Sequence, residues 1–86
     1  VSRVTERELD PEAVRLGATI RALREAHGLN MAQLAALIGL SRPYVNNVEL
    51  GIKRASPRMC RSVADTLGVP LAALTVAGYE RIRELA

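Results

Sequence analysis

Four times along the chain, a side chain able to cap a helix is followed, nine to eighteen residues later, by a glycine able to end one. The pairs are Asp10 and Gly28, Asn30 and Gly39, Ser41 and Gly51, and Ser56 and Gly68. Asp, Asn and Ser accept a hydrogen bond from the free N–H groups of a first turn, and glycine adopts the left-handed conformation that closes a last turn. Pro11, Pro43 and Pro57 fall inside the first turns, where a missing N–H is harmless. This punctuation predicts helices over about 11–27, 31–38, 42–50 and 57–67. Pro43 disfavours the helical conformation at Arg42, so the third helix starts there or one residue later. Pro70 opens a fifth short helix through Leu74. Helices this short gain their stability from packing on each other.

Composition agrees with an all-α fold. The chain has 86 residues, 13 Ala and 12 Leu among them, and no Phe or Trp. Ala and Leu are strong helix formers, and 86 residues support one core only. A single cysteine, Cys60, excludes an internal disulfide, and no Cys/His cluster is available for a metal. No apolar run approaches the length of a membrane helix, and no charged-then-apolar leader is visible, so no membrane is expected and the expected compartment is the cytoplasm. No cofactor motif is present: there is no Gly-rich phosphate loop, and no nucleophile motif surrounds the Ser, His and Asp residues. An enzyme is not expected.

The net charge of +3 is unevenly placed. Residues 41–62 hold Arg42, Lys53, Arg54, Arg58 and Arg61 against one acid, Glu49, a net of +4. The remaining residues hold seven cations and eight acids. A basic block on a near-neutral chain suits either a polyanion partner or a solvated charged face.

Apolar spacing orients the helices. Leu16, Ile20, Leu23 and His27 make one stripe in the first helix, with His27 at the helix end in a capping role. Leu34, Ala35 and Ile38 form the inner face of the second. Val45 and Val48 point the third inward, which leaves Arg42, Pro43, Tyr44, Asn46 and Asn47 facing out. Cys60, Val63, Ala64 and Leu67 line the fourth, and Cys60 is expected to be a buried thiol. Ala35 and Gly39 are small where two helices cross. Two adjacent Asn in mid-helix are either plain solvent-facing residues or recognition groups; Asn is a poor helix former, which favours a reason beyond the helix itself.

The order helix, Gly39-Leu40-Ser41, helix, Gly51 fits a helix-turn-helix. The register resembles the lambda-repressor-like, Cro/C1-type (XRE family) helix-turn-helix domains. The matching residues are Leu16-Gly17, Ile20-Arg21, Leu23-Arg24-Glu25, Leu29-Asn30, Leu34-Ala35, Gly39-Leu40-Ser41-Arg42, Val45, Val48-Glu49, Gly51, Ala64 and Leu67-Gly68-Val69. They cover about residues 13–75. The expected organisation is a loose arm over 1–9, a compact five-helix domain over 10–75, and a helical extension over 76–86.

The resemblance implies a DNA-binding transcriptional regulator, a phage or bacterial repressor, whose helix 42–50 enters the major groove. Arg pairs with the O6 and N7 acceptors of guanine, and Asn with N6 and N7 of adenine. Arg42, Pro43 and Asn47 occupy the family positions most used for bases. Asn46 joins the reading set, and Tyr44 offers its ring to a thymine methyl or its hydroxyl to a phosphate. Phosphate contacts are expected from Asn30, Met31, Gln33, Ser41, Lys53, Arg54 and Arg58. Met31 stands where the family commonly has Gln, so Asn30 and Gln33 take over its side-chain role. The resemblance also implies that Glu49 turns inward to pair with Arg24.

Double-stranded DNA, as a pseudo-palindromic operator bound by a homodimer, is the partner this reading implies. Leu71, Leu74, Val76, Tyr79 and Ile82 give the C-terminal segment more apolar surface than a last helix needs. They are expected either to form the dimer interface or to cover the first helix. An antitoxin or anti-repressor, whose main partner is another protein, is the alternative.

Overall fold

A computed structural model describes residues 9–74 of the chain. Four α-helices run in order: α1 Pro11–Ala26, α2 Met31–Ile38, α3 Arg42–Glu49 and α4 Pro57–Leu67. A 3₁₀ turn over Leu71–Leu74 follows, so the fifth helix is a correction: Leu71–Leu74 is one tight turn after Pro70. With only four residues, this stretch cannot close consecutive α-type bonds, and a shorter-period turn results. No helix among the described residues is long and apolar enough to cross a membrane. The arm and the extension fall outside the described residues, apart from Leu9.

Each helix begins on its polar cap. Asp10, Asn30, Ser41 and Ser56 accept from the backbone N–H of Glu12, Gln33, Tyr44 and Met59. In α2 the cap is reciprocal, with the Asn30 N–H donating to Gln33 Oε1 at 2.8 Å. Such a capping box satisfies two donors at once. α3 begins at Arg42 without delay. Ser41 secures that turn twice, through its hydroxyl and through its carbonyl, which accepts from Val45 N at 3.1 Å. At the other ends, Gly39 and Gly68 close α2 and α4 with φ of +70° and +66°. Leu50 is the C-cap of α3, so the helix ends one residue earlier than expected, and Gly51 follows at φ +80°.

The core joins all five elements. Ile20, Leu34, Val45, Val48, Met59, Val63 and Leu74 are its fully buried large side chains, with Ala35, Ala55, Cys60, Ala64 and Leu67 between them. The buried line of α1 is Ala13, Gly17, Ile20 and Arg24. Of the expected stripe, Ile20 lies on that line, Leu16 and Leu23 flank it, and His27 is exposed with Nδ1 2.8 Å from the Leu23 carbonyl. Of the two small residues expected at a helix crossing, Ala35 is buried in the core and Gly39 is not packed against a neighbour. A Cβ at Gly39 would meet nothing within 4 Å, so Gly39 serves backbone conformation. Gly17 is where two helices meet: a Cβ there would stand 2.1 Å from the Val48 carbonyl oxygen of α3.

Candidate nucleic-acid interface

α3 is held by its inner face. Val45 and Val48 have no exposed surface, and Glu49 beside them is also buried. The outer face is thereby fixed by helical geometry. Arg42 and Pro43 are exposed; Asn46, Asn47 and Tyr44 are half-buried. Tyr44 leans on the core and lines a groove of about 220 Å³ together with Leu40, Arg58 and Met59. The loop after α3 is tied back to it. The Asn47 carbonyl accepts from both Ile52 N (2.9 Å) and Lys53 N (3.2 Å). Lys53 Nζ then lies 5.9 Å from the centroid of the Tyr44 ring, within cation–π range. Arg42, Tyr44, Asn47 and Lys53 are thus parts of one surface.

Glu49 does not contribute charge to that surface. Arg24 Nε donates to Glu49 Oε2 at 2.8 Å and Nη2 to Oε1 at 2.9 Å, while Nη1 donates to the Leu29 carbonyl at 2.9 Å. Their side chains are 10% and 2% exposed, so the fork is shielded from water. Glu49 as hydrogen-bond acceptor and counter-charge raises the pKa of Arg24 against the opposing effect of burial. Both charges are satisfied in place, and the guanidinium links α1, α3 and the α1–α2 connection.

The basic block divides in two. Arg54 is neutralised locally: its guanidinium bonds Glu12 and lies 3.5 Å from Asp10, both at the start of α1. Arg42, Lys53, Arg58 and Arg61 have no ion-pair partner among the described residues. With Glu49 held by Arg24 and Arg54 held by two acids, four cations without an ion pair among the described residues lie on α3, its following loop and α4, against one acid there outside a bridge, Asp65. In the sequence, Asp10 and Glu12 stand out only as helix-start acids. Their pairings with Arg54 span 42 residues from Glu12 and 44 from Asp10 and leave no local signal.

At the start of α2 the expected groups differ in what they offer. Asn30 and Gln33 are exposed, but each side-chain oxygen already accepts a backbone N–H of the capping box. Each keeps its NH₂ group as a donor. Met31 packs its side chain against the core, so what it offers an anion is its backbone N–H. Ser41 likewise uses its hydroxyl oxygen on the Tyr44 N–H, 3.2 Å away. A correction concerns Leu74, which is 1% exposed and belongs to the monomer core. Leu71 is 43% exposed. Val76, Tyr79 and Ile82 lie outside the described residues.

Known proteins with this arrangement share a theme. A helix-turn-helix family profile, HTH_3, matches residues 20–74. An uncharacterized HTH-type transcriptional regulator of Mycobacterium tuberculosis, MT0491, is 37% identical over 60 residues. That stretch is 70% of this chain and 43% of the relative, so the chain spans less than half of that protein's length. The restriction-modification controller protein C.AhdI from Aeromonas hydrophila superimposes with a TM-score of 0.69 at 37% identity, over 72% of this chain and 94% of that one. The clp gene regulator ClgR from Corynebacterium glutamicum gives 0.70 at 28% identity, over 80% and 90%. The matched span runs from Ile20 through the 3₁₀ turn and includes all of α2, α3 and α4. The chain belongs to the Cro/C1-type (HTH_3) helix-turn-helix family.

Proposed function

We propose that this chain is the DNA-binding unit of a transcriptional regulator, with α3 lying in the major groove. One observation carries the reading. α3 leaves Arg42 exposed and Asn46 and Asn47 half-buried on its outer side, and four cations without an ion pair among the described residues lie on it and on the loop and helix that follow. Arg42, Pro43, Asn46 and Asn47 face base edges, with Tyr44 at their margin. Lys53 and Arg58 meet phosphates on one flank. The N-terminus of α2 meets one on the other, through its backbone N–H groups and the NH₂ groups of Asn30 and Gln33. The relatives are regulators by name; for this chain the role proposed is repression in the cytoplasm through a pseudo-palindromic operator. Two copies reading two half-sites supply the specificity that one short helix lacks. Leu71, with Val76, Tyr79 and Ile82 of the extension, is the surface proposed to join them.

The test is selection of bound duplexes from a random pool, followed by titration over a range of salt. A defined half-site, bound with log affinity falling steeply with log salt, supports the reading. Enrichment of no sequence sinks it.

A further inference from the structure

Lys53 and Arg54 are neighbours in sequence that serve opposite sides of one loop. Lys53 lies beside Tyr44 on the reading helix. Arg54 turns to the first turn of α1, between Asp10 and Glu12. Asp10 is itself committed there, with Oδ1 accepting the Glu12 N–H at 3.1 Å and Oδ2 facing Arg54 Nη1 at 3.5 Å. A phosphate approaching Arg54 in this position enters the field of two carboxylates at close range, and like charges at such distances repel. The rest of the loop is anchored by backbone. Ile52 and Lys53 donate to Asn47, Gly51 lies under Val14, and Ala55 is buried.

We infer that Arg54 is a positioning residue: its bridge to Asp10 and Glu12 clamps the α3–α4 loop to α1 and holds Lys53 beside Tyr44, and it touches no phosphate. This rests on the reading of α3 as the DNA-reading helix. It removes Arg54 from the set of phosphate contacts that the sequence suggests. It also assigns Glu12, an acid, a supporting role in binding a polyanion. The bridge is largely exposed, with side chains 48–62% accessible, so its effect is modest. Exposed pairs of this kind correspond to changes of roughly two- to five-fold.

The experiment uses the whole chain and the duplex obtained by selection, with variants K53Q, R54Q, E12Q and the double R54Q/E12Q, titrated between low and moderate salt. K53Q should flatten the log–log salt slope by about 0.9, as expected for one lost phosphate contact. R54Q should weaken binding roughly two- to five-fold with the slope unchanged. E12Q should weaken it similarly, although it removes a negative charge, and the double variant should be no worse than either single one. Without DNA, the ring-current shift that Tyr44 imposes on the Lys53 side-chain protons should shrink in both R54Q and E12Q. The inference is overturned if R54Q flattens the slope as K53Q does, if E12Q tightens binding, or if neither variant changes affinity. Should the native chain bind no duplex, the DNA reading itself fails. The Lys53 shift then decides alone: its persistence in both variants overturns the clamp.

Discussion

Gly17 and the carbonyl oxygen of Val48 touch: a Cβ on Gly17 would come within 2.1 Å of that oxygen, and within 2.8 Å of the Glu49 carbonyl. Both obstacles are backbone atoms of α3 and cannot rotate away. Gly17→Ala must therefore push α1 off α3, although alanine is the better helix former by about 1 kcal/mol. Overpacking costs about 1–3 kcal/mol where side chains can adjust, and more where they cannot. The expected outcome is a net loss of about 2 kcal/mol or more, measured as a lower urea midpoint with little change in slope. A rise in stability would show that the two helices are not in contact at this point.

Arg24 and Glu49 set a second expectation. Arg24→Met leaves the Glu49 carboxylate buried without its fork, and Glu49→Leu leaves the guanidinium in the same condition. Each single change should cost about 3–5 kcal/mol, because the remaining charge is desolvated and unpaired. The double variant Arg24→Met with Glu49→Leu should recover much of that loss, since two apolar groups need no counter-charge. A double-mutant cycle in chemical denaturation measures the coupling. Additive losses would mean that the pair is better hydrated than its 10% and 2% exposure indicates.

These two contacts also mark where sequence reading stops. Caps are local: Ser56 finds the Met59 N–H three residues away, so the helix boundaries could be read directly. Gly17 is legible only as a weak helix residue, because the obstacle lies 31 positions further on. The bridge between Arg24 and Glu49 spans 25 residues and follows from how α1 crosses α3; only resemblance to a family pointed to it. Arg54 shows the limit for the candidate site. Its charge suggests a phosphate, while the acids it pairs with stand at the start of α1. The outer face of α3, by contrast, follows from the spacing of Val45 and Val48 alone.

The outer face of α3 should separate sequence preference from general affinity. Arg42 is exposed and carries no acid partner among the described residues, and a guanidinium paired with guanine discriminates by about 1–3 kcal/mol. Arg42→Ala should relax the preference at one base pair of each half-site. Lys53→Gln should weaken all duplexes alike and reduce the salt slope. Competition titrations against single-base variants of the selected site check both. An Arg42→Ala profile unchanged at every position would remove this residue from the reading set.

Cys60 gives an expectation in pH. Burial pushes its thiol up from the ordinary value, with the nearby Arg54 charge opposing in part. A raised folded pKa means that the neutral thiol fits the core and the thiolate does not. The stabilisation is fully present below the unfolded thiol pKa, near 8.5, and is lost as pH rises through the folded value. Relative to Cys60→Ala, the native chain should lose stability from about pH 8.5 upward, seen as converging urea midpoints at pH 7 and pH 10. At pH 7.5 the thiol should react with a disulfide reagent only as fast as the fold opens. Reaction at the rate of a free thiol would place Cys60 at the surface.

Leu74 and Leu71 lie in the same 3₁₀ turn and should behave oppositely. Leu74 is 1% exposed and packed in the core, so Leu74→Ala creates a cavity and should cost about 2–5 kcal/mol. Leu71 is 43% exposed, so Leu71→Ala should change the stability of the isolated chain by less than about 0.5 kcal/mol. If Leu71 joins the proposed dimer surface, its truncation acts on association instead. Light scattering across a concentration series should then show the variant dimerising at higher concentration than the native chain, while its unfolding midpoint under monomeric conditions stays the same. Equal dimerisation by both proteins would take Leu71 out of the interface, and an equal loss of stability from Leu71→Ala and Leu74→Ala would contradict the packing of this turn.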